Sequence, residues 1–100
     1  MLKHIVMWRV AGEGTTVHAR NVAKVKCAFE TLRGRIPGLV HLEIGVDSSR
    51  TDHASDVVLY TEFESQAALD GYATHAEHLR VKRELGELRI DRRHVDYVSD

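Results

Sequence analysis

The chain has 100 residues, of which 43% are hydrophobic and 29% are charged, and its net charge is −1. This composition is typical of one folded domain over residues 1–100 and excludes both a disordered chain and a membrane-embedded one. The balanced charge lacks the basic excess that phosphate neutralisation requires, so we expect no nucleic-acid partner.

The first half of the chain predicts a strand, a helix and a second strand. Leu2–Val10 is rich in β-branched and aromatic residues and runs into a glycine-rich loop, as a strand does. From Thr15 or Thr16, either of which could cap a helix, apolar residues recur at steps of three and four. This amphipathic helix should end near Gly34, because a proline and another glycine follow closely. Leu39–Val46 then predicts the second strand.

The second half predicts two more strands with helical sequence between them. A polar loop over residues 47–53 is followed by a predicted strand over residues 56–63. Ser65 can cap a short helix, a second helical stretch follows it, and residues 92–98 alternate as a last strand. The order βαββαβ predicts an α+β, ferredoxin-like unit, with a four-stranded antiparallel sheet and helices on one face.

Alternation along the strands leaves both faces of this predicted sheet apolar. Since the helices cover only one face, we expect the face that carries Val6 and Trp8 to be left open, as a patch typical of an association surface. The sequence therefore predicts a homodimer whose sheets enclose a barrel-like interior; a monomer whose loops cover the sheet is the alternative. The first strand places on this face His4, Val6, Trp8 and Val10, with Ile5 and Met7 opposite.

Three side chains after the third strand could line one pocket, because Tyr72, His75 and His78 share roughly one helix face. An imidazole titrates near neutrality, so His78 could remove a proton from carbon beside a carbonyl group. The Tyr72 phenol could donate a hydrogen bond to the developing oxyanion. The alternative is structural: a histidine that caps a helix or holds a loop, and a tyrosine that packs with its hydroxyl at the surface.

A metal site built from His4, His75 and His78 is a weaker interpretation, because the His-Glu-x-x-His spacing of metalloproteases is missing. No glycine-rich phosphate loop or haem motif is present in the sequence. We therefore expect no metal and no cofactor. The N-terminus goes directly into a strand-like run without a secretion signal, which favours a cytoplasmic protein.

Five segments together resemble the stress-responsive α/β-barrel (Dabb) family along almost the entire chain. The resemblance implies a ferredoxin-like dimeric α/β barrel, in which two sheets face each other. The segments are residues 3–8 (KHIVMW), 36–39 (IPGL), 56–65 (DVVLYTEFES), 69–78 (LDGYATHAEH) and 95–97 (VDY).

For function, the resemblance implies a homodimer that binds a small ligand in its barrel cavity, since most members of the family have no established activity. The alternative is an enzyme similar to a plant polyketide cyclase of this family, which uses a histidine base and a tyrosine. By motif position, the catalytic residues would then be His78, Tyr72 and His4. From the helix spacing and the strand alternation, we expect ligand-binding residues at His75, Trp8 and Val6. One departure is Ala76, where the family usually has proline; its loss could loosen the start of that helix.

Overall fold

The computed structural model describes residues 1–99, which contain four strands and three helices. No helix within these residues is long and apolar enough to cross a membrane. The elements in chain order are β1 (Leu2–Val10), α1 (Thr15–Glu30), β2 (Leu39–Val46), β3 (Val57–Phe63), α2 (Gln66–Thr74), α3 (Ala76–Leu85) and β4 (Arg89–Val98).

The four strands form one antiparallel sheet in the order β2-β3-β1-β4. Strand β1 lies inside the sheet, where it pairs with β3 on one side and β4 on the other. This is the α+β, ferredoxin-like architecture that the order of elements predicted, and the prediction is confirmed.

The helices differ from the prediction mainly at their ends. The residue before α1 is Gly14, which makes no side-chain cap, so the predicted threonine cap was wrong. Helix α1 ends at Glu30 rather than near Gly34, and the chain continues in tight turns in which Leu32 N–H donates to the Phe29 carbonyl. These turns still bury Leu32 in the core. The predicted cap of α2 is confirmed, since the Ser65 side chain accepts a hydrogen bond from Ala68 N–H.

The sheet face that carries His4, Val6, Trp8 and Val10, here called the inner face, packs against the helices of the same chain. Val6 is 2% exposed and Trp8 is 4% exposed, and the Trp8 ring stacks on Phe29 of α1 at 5.1 Å between centroids. Our expectation that this face meets a second subunit was therefore wrong. Alternation sorts side chains onto two faces, but it does not say which face the helices cover when both are apolar.

The opposite face, here called the outer face, carries the apolar and aromatic side chains of Ile5, Met7, Val58, Tyr60, Val95 and Tyr97, and also the charged side chains of Lys3, Glu62 and Arg93. Three of these large side chains are open to solvent: Met7 is 37% exposed, Val95 50% and Tyr97 43%. The apolar side chains of the three strands are neighbours on this face, because the register pairs Ile5 of β1 with Tyr60 of β3 and with Val95 of β4. An apolar patch of this kind marks an association surface.

Candidate functional site

A cavity of about 590 Å³ lies between the inner face of the sheet and helices α2 and α3, and we call it the inner cavity. Its size falls within the range of about 300–1,000 Å³ that is typical of small-molecule sites. Strand β1 contributes His4, Val6 and Trp8 to its lining, the helices contribute Leu69, Tyr72, His78 and Lys82, and β4 contributes Arg89, Arg92, His94 and Asp96.

The rings of Tyr72 and His78 are in contact, with centroids 4.2 Å apart and planes tilted by 36°. They do not lie on one continuous helix, as the spacing suggested. Helix α2 ends at Thr74, His75 is extended, and α3 begins at Ala76. This break lets two residues that are six positions apart meet inside the inner cavity.

The environment of His78 fixes its tautomer and favours its neutral form. Nδ1 lies 3.2 Å from the carbonyl oxygen of Ala73, and since a carbonyl only accepts, Nδ1 must carry the proton. Burial is the main cause that lowers the pKa of His78 below its usual value, although the Ala73 hydrogen bond acts against it. At neutral pH the ring is therefore uncharged, and Nε2 carries a lone pair that can accept a proton.

Tyr72 is placed to keep its proton. Its side chain is buried, and burial raises the pKa of Tyr72 far above its ordinary value. The positive charges of Arg89 and Arg92 lower that pKa, but by less. A phenol in this state donates a hydrogen bond to a ligand oxygen and remains neutral.

His4 completes the cluster from the floor of the inner cavity. Its ring centroid is 6.3 Å from that of Tyr72. The β1–β4 register sets His4 opposite Asp96, and His4 Nδ1 lies 2.5 Å from Asp96 Oδ1. The Nδ1–H donates to this carboxylate, which holds the ring in one orientation. The sequence did not reveal Asp96, because a cross-strand partner depends on a register that no local pattern shows.

The structure places the other predicted ligand-binding residues in two environments. Val6 and Trp8 line the inner cavity. His75 is not among its lining residues; it caps α3, and its Nδ1 accepts a hydrogen bond from Glu77 N–H at 3.0 Å. This cap holds the helix start at Ala76, where the resemblance led us to expect proline. Within residues 1–99, no three or more His, Cys, Asp or Glu side chains are grouped as metal ligands would be.

A larger concavity of about 690 Å³ lies elsewhere, beside the loop that joins β2 to β3. Met7 and Val58 of the outer face line it, together with Arg9, Asp47 and His53. It contains neither Tyr72 nor His78. Because the paired aromatic and imidazole groups converge on the inner cavity, we take that cavity as the candidate site despite its smaller volume.

Residues 2–99 match the family model of the stress responsive A/B barrel domain (Dabb). The chain belongs to this family. Among curated proteins, no sequence matches significantly. The family assignment accounts for nearly the whole chain, and it agrees with the fold.

Solved structures give the same fold. A dimeric ferredoxin-like protein of unknown function from Bacteroides fragilis is 28% identical, with a TM-score of 0.82 over 96% of this chain and 93% of that chain. A second one, from Thermobifida fusca, is 20% identical, with a TM-score of 0.82 over 98% and 90%. Hydroxynitrile lyase from Passiflora edulis is 14% identical, with a TM-score of 0.79 over 99% and 93%. The last two likenesses concern the fold alone.

Proposed function

We propose that the protein is a homodimer whose outer faces pack together, and that each protomer binds a small carbonyl compound in its inner cavity without a cofactor. The dimer is supported by the exposed apolar side chains Met7, Val95 and Tyr97. The Bacteroides fragilis and Thermobifida fusca relatives are described as dimeric, which agrees with it. A cytoplasmic location stays a prediction from the sequence.

The observation that carries the ligand proposal is the contact between Tyr72 and His78 inside the cavity, at 4.2 Å between ring centroids. The lining combines apolar surface from Val6, Trp8 and Leu69 with a few converging polar groups. Sites for small organic ligands have this composition. A carbonyl group suits it, because its oxygen can accept the hydrogen bond of the Tyr72 phenol.

A second candidate function is enolate-forming catalysis, and the His78 tautomer favours it. The Nε2 lone pair would take a proton from carbon beside the carbonyl. The electron pair of that C–H bond would form the enolate double bond, while the negative charge that develops on oxygen would accept the Tyr72 hydrogen bond. The enolate carbon could then take a proton back from the His78 imidazolium or from solvent. It could instead attack a second carbonyl carbon of the same molecule to close a ring as a cyclase does, and the alkoxide formed there would take the proton from His78.

The test of both functions uses methyl levulinate, an uncharged keto ester, in deuterated buffer. NMR should show shifts of the Tyr72 and His78 ring signals on binding. In His78→Gln, where only the Tyr72 signals remain, a higher ester concentration should be needed to shift them. If the protein is an enzyme, the protons on the carbons beside the ketone exchange with deuterium faster when the protein is present. His78→Gln and Tyr72→Phe should each slow this exchange by about 10²-fold or more. The matched control is His53→Gln, because His53 is an exposed loop histidine.

Each outcome decides one point. Binding without faster exchange supports the ligand-binding function and refutes catalysis on this ester. Exchange that is unchanged in both His78→Gln and Tyr72→Phe refutes the roles given to these residues. Methyl levulinate that shifts no signal of the inner cavity, even at the highest soluble concentration, contradicts the proposed ligand class.

A further inference from the structure

The pairing of β4 with β1 contains an irregularity beside the inner cavity. Met7 lies opposite Arg93, whereas Arg9 lies opposite Ile90, so β4 has one extra residue at this point. Asp91 lies in this irregular stretch and has φ of 50°, a left-handed value that is uncommon for residues other than glycine. The arrangement is a β-bulge, a feature found often next to functional sites because it re-aims side chains.

The bulge changes which side chains reach the inner cavity. In a regular strand, residues three positions apart point to opposite faces. Arg89 and Arg92 are three positions apart, yet both line the cavity. Lys82, from the last turn of α3, lines it as well. The bulge therefore adds a second β4 arginine to the positive charge in the cavity.

The acidic side chains of the cavity form no ion pair with these three cations. Within residues 1–99, no carboxylate oxygen lies within 4.0 Å of a charged nitrogen of Lys82, Arg89 or Arg92, and the one polar side-chain contact of Arg92 is with His94. The acids have other partners: Asp70 accepts a hydrogen bond from Gln66 at 2.9 Å, Asp91 pairs with Arg9 at 3.9 Å, and Asp96 holds His4.

Arg89 is the most constrained of the three cations. Its guanidinium lies over the rings of Trp8 and Phe29, at 4.9 and 5.2 Å from their centroids. Its Nε is buried without a hydrogen-bond partner among residues 1–99. The charge of Arg89 also lowers the pKa of both Tyr72 and His78, so it acts on both of these groups. The protein thus holds a half-buried cation beside Tyr72 and His78, and no carboxylate of residues 1–99 pairs with it to offset its desolvation.

We propose that the ligand supplies this anion: it is a keto acid whose carboxylate binds Arg89, with Lys82 and Arg92 adding positive charge. The inference rests on the proposed function, in which Tyr72 and His78 receive the carbonyl group of the same molecule. A guanidinium is the side chain best suited to a carboxylate, because its planar N–H groups match the two oxygens. Stacking on Trp8 holds it ready for that contact.

The test compares levulinate with its methyl ester, which keeps the ketone and removes the charge. By NMR titration near neutral pH, the wild-type protein should bind levulinate about tenfold or more tightly than the ester. Arg89→Gln should reduce this preference to about twofold or less; the ratio of the two affinities is compared within each protein, so a change in the affinity for the ester does not affect the comparison. Arg89→Lys, which keeps a positive charge, should retain part of the preference.

The control is Arg83→Gln, since Arg83 is exposed on α3 and does not line the cavity. It removes the same charge and should leave both affinities unchanged. Equal binding of acid and ester by the wild-type protein, or a preference that survives Arg89→Gln in a folded variant, overturns the keto-acid inference and leaves the proposed function standing. Failure of both molecules to bind overturns the proposed function itself.

Discussion

At the scale of single residues, the lowered pKa of His78 should make the protein less stable as pH falls below neutral. The pKa of His78 is lowered from 6.5 in the folded protein, whereas the unfolded chain keeps the ordinary value. As pH falls through 6.5, the unfolded chain binds a proton that the folded chain does not yet bind. The free energy of unfolding therefore decreases with falling pH until the folded pKa is passed.

We expect His78→Gln to reduce this pH dependence, because glutamine does not titrate. The measurement is urea denaturation of wild type and variant at several pH values from neutral down to mildly acidic. An NMR titration of the His78 ring measures its pKa in the folded protein, and its midpoint should lie below 6.5. A midpoint above that value would contradict the role of burial at this residue.

The sequence predicted three side chains that the structure places at the candidate site, but not their partners. His4, Tyr72 and His78 were predicted from their residue types and from the family resemblance; their catalytic role stays a prediction. Asp96 and Arg89 could not, because one depends on the strand register and the other on a bulge. The bulge is built at Asp91 rather than at glycine, so even the usual signal for a left-handed residue is missing.

At the scale of elements, the position of α2 depends on a close approach at Gly38. A Cβ atom at Gly38 would lie 2.5 Å from the Cβ of Ala68 on α2. The carbonyl of Gly38 also accepts a hydrogen bond from Glu64 N–H at 2.9 Å, just before the helix begins. Since α2 carries Tyr72, this contact helps to define one wall of the inner cavity.

We expect Gly38→Ala to lower the free energy of unfolding by about 1–3 kcal/mol more than Gly34→Ala does. Gly34 is a matched control, because both glycines have φ of 78° and a Cβ at Gly34 would meet nothing within 4 Å. Both variants therefore share the backbone strain of a left-handed alanine, about 1–2 kcal/mol. Urea denaturation measures the difference, and equal losses would show that the approach of Ala68 does not matter.

The first two strands were predicted with the bounds that the structure has, whereas β4 begins at Arg89, before the predicted start at Arg92. The run of β-branched and aromatic residues in β1, and its glycine-rich exit, gave the bounds Leu2–Val10 that the structure has. The end of α1 was placed too late, because Leu32 keeps its helical spacing while the backbone has already tightened into turns. The break between α2 and α3 was not predicted in position, since His75 acts as the cap through its side chain.

At the scale of the whole molecule, dimer formation through the outer face can be tested by adding one charge. Val95 is 50% exposed in the single chain, so Val95→Asp should leave the protomer folded and dissociate the dimer, because an unpaired carboxylate would be buried between the sheets. Val17→Asp is the control, since Val17 is 41% exposed on α1, away from the sheet. Sedimentation velocity measures the assembly state, and a Val95→Asp dimer as stable as wild type would exclude the outer face.

The order of elements was sufficient to predict the fold class, because βαββαβ has one common antiparallel solution. It was not sufficient to place the helices on the correct face. The inner face carries Trp8 and Val6 while the outer face carries Ile5 and Met7, so burial preference alone did not separate them. Because the helices cover the inner face, the candidate site lies in a cavity within each protomer and not in the space between subunits that the sequence predicted.

A crystal structure of the protein soaked with levulinate would show whether the inner cavity is the binding site. We expect one molecule per protomer, with its ketone oxygen within hydrogen-bond distance of the Tyr72 hydroxyl and its carboxylate against Arg89. Levulinate bound only in the concavity beside His53, with the inner cavity closed by its own side chains, would show that the inner cavity is not the site.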